Sequence, residues 1–113
     1  MFISKKFDII SFMIDIVKIS KALGDPIRYN ILLMLLNHKG CTSSLCQTDM
    51  EGVCNCEIME EFGMIQSRVS YHMKELCESG LVTEIPKGKW KYYTLNKEAI
   101  REYSKELGVI FQL

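Results

Sequence analysis

A basic surplus is missing from this chain. Fourteen Lys and Arg stand against fourteen Asp and Glu, so net charge does not advertise a nucleic-acid partner. Proline is scarce, with two in 113 residues beside seven glycines, which excludes a disordered or collagen-like chain. A membrane span of roughly 20 apolar residues is lacking as well. The apolar stretch from Phe7 to Ile19 is shorter and carries Asp8, Asp15 and Lys18. No secretory signal with an uninterrupted apolar core and a small-residue cleavage site is evident, so the expected location is the cytoplasm, without membrane contact. Five cysteines should stay reduced there, which favours metal or thiol chemistry over a disulfide framework. A phosphate-binding glycine loop and His–carboxylate pairs at motif spacing are absent too, which argues against an enzyme.

What is present is the composition of an ordinary folded domain, 48% hydrophobic and 25% charged. Its length suits a single domain spanning 1–113. Charge is polarised along it. Gly40 to Ile65 holds five acids and no Lys or Arg, whereas Gln66 to Lys97 holds six Lys or Arg against three Glu. Screening over about 8 Å lets such a local basic patch bind phosphates on a neutral protein.

Apolar residues at Ile9, Phe12, Met13, Ile16, Val17 and Ile19 step by three and four, predicting a helix over Phe7 to Ser20. Ile10 and Ile14 widen its apolar face enough to call for a second chain, so a dimer surface is expected. Gly24 ends that helix, Asp25 caps the next and Pro26 opens it. In this second helix Ile31, Leu32, Leu35 and Leu36 supply the face to be buried. Gly40 to Gly52 is a long polar connector containing Cys41 and Cys46. Two short helices follow, Asn55 to Phe62 and about 66–79, turning at Gly63. Ile58, Phe62, Ile65, Val69, Met73 and Leu76 are expected inside the pair. "LVTEI" and "WKYYTL", joined by "PKGK", predict a hairpin over about 81–95, and a last amphipathic helix starts at Lys97.

Helix, glycine turn, helix and basic hairpin compose a winged helix-turn-helix, mainly α with a small β-hairpin wing. The second helix is sized for the major groove of double-stranded DNA. Gln66 can read base edges, and Ser67, Ser70 and Tyr71 can donate to phosphates or bases. Arg68 and Lys74 can neutralise phosphates. At the wing, Lys87, Lys89 and Lys91 add sequence-blind affinity. The bland alternative is a solvated helix face beside a hairpin that only covers the core.

"KALGDPIRYNILLMLL", "VCNCEIMEEFGMIQSRVSYHMKELCESGLV" and "KGKWKYYTLN", in this order, resemble the ArsR/SmtB family of metal-sensing bacterial repressors, from about Ile19 to Asn96. The resemblance implies a homodimer with its N- and C-terminal helices at the interface, bound to a palindromic operator and released by a metal. Cys54 and Cys56 fall where arsenic- and cadmium-type members carry C-V-C-D-L-C or a shorter form. Asn55 stands for the middle Val and Met59 for the third Cys. Thiolates suit As(III) or Sb(III), the expected inducers, and also Cd(II), Pb(II) or Zn(II).

Two residues apart on a regular helix, Cys54 and Cys56 splay, so their convergence on one ion calls for an unwound helix start. Cys41 or Cys46 could complete the site. Competing roles are two buried small hydrophobes, a structural zinc on all four cysteines, and a thiol-redox switch without metal. Cys77 reads as packing, His38 as isolated, and His72 as support for its helix. The last helix lacks the Asp and His of the family's other zinc site.

Overall fold

The computed structural model describes residues 15–38 and 51–113. Positions 7–14 of the predicted first helix lie outside the described residues, as does most of the connector with Cys41 and Cys46. α1 runs Ile16–Leu23 behind Asp15, whose carboxylate accepts from the Lys18 amide. Gly24 closes it. Asp25 then caps α2, Pro26–Leu36, by accepting from the Ile27 and Arg28 amides at 2.8 and 3.2 Å. Burial raises the Asp25 pKa, but these two bonds and the Arg28 cation outweigh it and hold the carboxyl below its usual value. Ile31, Leu32 and Leu35 are buried as expected, each contributing roughly 1.5–3 kcal/mol. Leu36, expected among them, is 49% exposed, because one more residue of helical advance carries it past the buried stripe.

A strand that the periodicity did not predict comes next. β1 is only Val53–Cys54, too short to show alternation, and it pairs antiparallel with the wing as Val53↔Tyr93 and Cys54↔Tyr92. Its signal is Gly52. This glycine has φ +95, and a Cβ there would sit 2.7 Å from the Tyr93 carbonyl oxygen. Only glycine lets the chain approach so closely. Gly52→Ala should therefore cost about 2–4 kcal/mol through strain and clash, seen as a lowered urea midpoint.

α3, Asn55–Phe62, and α4, Gln66–Glu78, form the helix-turn-helix around Gly63, which is left-handed at φ 59, ψ 39. The amides of Gly63 and Met64 both donate to the Met59 carbonyl. This tight turn seats Met64 in the core at 7% exposure and leaves Ile65, expected inside, 71% exposed. Ile65 has become the extended N-cap of α4. Ile58, Val69, Met73 and Leu76 are buried and Phe62 is half-buried.

β2, Val82–Lys87, and β3, Trp90–Leu95, make the wing; the sheet order is β1-β3-β2. α5, Lys97–Ile110, is capped by Asn96 and buries no residue fully, although Ile100 and Tyr103 lean on the core. Its Tyr103 hydroxyl lies 2.7 Å from that of Ser20 on α1. Val17 on α1 and Val109 on α5 are 67% and 55% exposed. Among the described residues, no helix is long and apolar enough to cross a membrane.

Candidate DNA interface and thiol site

Every side chain expected to face DNA is exposed: Gln66, Ser67, Arg68, Ser70, Tyr71 and Lys74 on α4, and Lys87, Lys89 and Lys91 on the wing. The opposite face of α4, made by Val69, Met73 and Leu76, is buried. That burial holds the polar face outward. The wing lysines are not equivalent. Lys89 lies over the Trp90 ring at 5.4 Å, and Lys91 sits 3.7 Å from Glu84, which leaves Lys87 without an ion pair among the described residues.

His72 shares α4 with these groups but points inward, 4% exposed. Its Nδ1 accepts from the Arg28 guanidinium at 3.2 Å. Arg28 is itself buried and donates through Nε to the Ala22 carbonyl at 2.9 Å, with a longer contact to the Lys21 carbonyl. One cation thus ties the end of α1 to the middle of α4. Sequence reasoning assigned His72 to support of the helix and gave Arg28 no role. The signal available was an arginine in the first turn of a mainly apolar helix.

The cysteines expected to sense a metal are brought together. Cys54 is not a helical residue: at φ -71, ψ 143 it is the N-cap of α3, so the pair meets without the unwinding that a regular helix would require. The sulfurs of Cys54 and Cys56 are joined as a disulfide, with the Cα atoms 5.2 Å apart. The Cys56 amide donates to the Cys54 sulfur, and Glu57 accepts from the Cys54 amide at 3.2 Å, closing a capping box. Sulfur takes the part that a Ser or Thr hydroxyl usually plays there.

Cys54 and Cys56 are 0% and 3% exposed and form a cluster with Tyr92, Ile85 and Trp90. When the disulfide is reduced, the positive end of the helix favours these sulfurs as thiolates, and thiolates suit a thiophilic cation or metalloid. Met59 belongs to the other core cluster and not to this one. Cys77 is free, and burial followed by the nearby Glu84 charge pushes its thiol up to about 11, which suits packing rather than ligation.

A family model described as bacterial regulatory protein, arsR family, matches residues 51–84, the segment from Glu51, just before β1, into the wing. The chain is also 38% identical over 93 residues to an arsenical resistance operon repressor of Bacillus subtilis (strain 168), covering 81% of this chain and 77% of that protein. It belongs to the arsR family. Members are DNA-binding transcriptional regulators, not enzymes. An ArsR-like transcriptional regulator from a Rhodococcus species shares the fold at TM-score 0.65 and 16% identity, over 86% of this chain and 79% of that one. So does a regulator from Mycobacterium bovis, described as a homodimeric winged helix-turn-helix DNA-binding domain, at TM-score 0.55 and 20% identity, over 85% of this chain and 78% of that one.

Proposed function

We propose that this arsR-family protein is a cytoplasmic homodimeric repressor that holds its operator through α4 and the wing and leaves it when Cys54 and Cys56 take up As(III) or Sb(III). The observation that carries this reading is the convergence of two buried sulfurs where α3, β1 and the wing meet. The Bacillus subtilis relative's name, arsenical resistance operon repressor, supports the choice of ion. When bound, such an ion supplies strong bonds to two thiolates, with Cys41 or Cys46 available to add a third. Cd(II), Pb(II) and Zn(II) are the competing ions. The exposed apolar residues of α1 and α5, Val17 and Val109 among them, offer the dimer face.

In this scheme Gln66, Ser67, Ser70 and Tyr71 read or anchor the major groove, Arg68 and Lys74 take phosphates, and Lys87, Lys89 and Lys91 take the flanking backbone. A second reading is favoured by the joined sulfurs: a redox switch in which two thiols and one peroxide yield the disulfide and two waters.

Fluorescence anisotropy on the protein's own promoter DNA separates these. Release by arsenite or antimonite supports the metalloid reading; release by peroxide alone transfers the function to the disulfide; failure to bind that DNA at any salt sinks the repressor. Stoichiometric zinc in the purified protein would point instead to a structural site. On the same DNA, Arg68→Ala should lower the slope of log K against log salt by about one. Gln66→Ala should cost about 1–3 kcal/mol and relax discrimination at one base pair.

A further inference from the structure

The wing carries one acid among its lysines. Glu84 is the sole Asp or Glu between Gly80 and Lys97. Strand register sets it opposite Tyr93, and Lys91, two residues before Tyr93, shares that face of the hairpin. Ile85, Trp90 and Tyr92 lie on the other face, against the thiol pair. The Glu84 carboxylate accepts from the hydroxyl of the buried Tyr93 and lies 3.7 Å from the Lys91 amine. Cys77, near the end of α4, is close enough to feel both charges.

Tyr93 accounts for an acceptor at this place but not for a charge. A buried hydroxyl needs a partner, and the neutral amide of a glutamine would serve it as well. A carboxylate also works against a phosphate-binding surface. It occupies the Lys91 amine, and it repels a DNA backbone that comes within a screening length of about 8 Å. With side chains 52% and 37% exposed, Lys91 and Glu84 are open to an incoming phosphate, which can replace the carboxylate as the partner of the amine.

We propose that Glu84 sets the strength of the wing's grip on DNA by competing with the phosphate backbone for Lys91. Tyr93 holds the competitor in place. Lys87, with no ion pair among the described residues, meets no such competition. The restraint is sequence-blind, because phosphate contacts carry no base information. The proposal rests on the reading that the wing lysines take the flanking backbone.

A double-variant cycle on the reduced full-length protein tests it. Anisotropy is measured over a salt series on the protein's own promoter DNA and on an unrelated duplex of equal length. Glu84→Gln should tighten both complexes about two- to fivefold, the range an exposed ion pair spans. It should also steepen log K against log salt by up to about one. The gain should vanish when Glu84→Gln is made in a Lys91→Ala background. Glu84→Ala should give the same Lys91-dependent gain with a lower urea midpoint, since Tyr93 loses its acceptor, whereas Glu84→Gln keeps the midpoint.

Absence of a gain in Glu84→Gln and Glu84→Ala overturns the proposal. A gain that survives Lys91→Ala overturns it as well, by assigning the effect to net charge alone, and so does a gain confined to the promoter DNA. If Lys87→Ala, Lys89→Ala and Lys91→Ala all leave affinity and salt slope unchanged, the wing reading falls and takes the proposal with it. If those variants weaken binding but Glu84 and Lys91 show no coupling, the proposal falls alone.

Discussion

A Cys54→Ser/Cys56→Ser protein should keep its operator at arsenite concentrations that empty the wild-type complex. Both sulfurs are buried within one cluster, so they are replaced by hard oxygens of low affinity for a soft ion. The fold should survive the change. Cys54 acts as an N-cap that accepts from the Cys56 amide, and serine is among the best residues for that position, so the capping box with Glu57 stays closed. Operator affinity without ligand should stay near that of wild type, because the retained cap keeps α3 in place beneath α4. The response carries the effect. A coupling of about 1–3 kcal/mol, typical between linked sites, makes the wild-type affinity fall roughly 5- to 150-fold on loading, and in the double variant that ratio should approach one. Anisotropy titrations with and without arsenite measure it. Release that persists in the double variant would move the ligands elsewhere in the chain, with Cys41 and Cys46 the first to replace.

The parts of this protein written in the sequence are those governed by a local rule. Asp25, Pro26 and Gly63 mark helix starts and turns through their own backbone chemistry: α2 begins and α3 ends where those residues place them. The α4 face was legible because burial of Val69, Met73 and Leu76 forces the alternate residues outward. What escaped depends on partners distant in the chain. β1 is two residues long and exists because Gly52 lets it lie against Tyr93. The convergence of Cys54 and Cys56 without helix unwinding followed from the same strand, which hands Cys54 to α3 in an extended conformation. Periodicity also misplaced Ile65 by assuming that the helical face continues through a left-handed glycine, where the chain reverses and Met64 takes the inner position.

Arg28 is the case in which neither composition nor motif signalled a role, and its replacement should be among the most damaging single changes to stability. Arg28→Ala leaves the Ala22 carbonyl and His72 Nδ1 without their donor in a buried setting. Losing one member of such a network costs about 2–4 kcal/mol, measured by urea unfolding at fixed protein concentration. Operator binding should weaken as well, because the same guanidinium fixes α4 against α1.

The contact also has a pH signature. Arg28 can only donate, so His72 must be neutral with its proton on Nε2. Burial first, and then the Arg28 and Arg68 cations, push the His72 pKa below its ordinary 6.5, against the opposing pull of Asp25 and Glu75. The unfolded chain therefore takes up this proton at a higher pH than the folded one. Stability is full above 6.5 and falls as pH drops from there toward the depressed folded value. His72→Gln should flatten that limb of the stability curve, while Arg28→Ala, by removing the nearest cation, should shift its end upward in pH. Wild-type stability that stays level between pH 7 and 5, with His72→Gln indistinguishable from it, would show that the imidazole titrates freely and that Arg28 does not hold α4 in place.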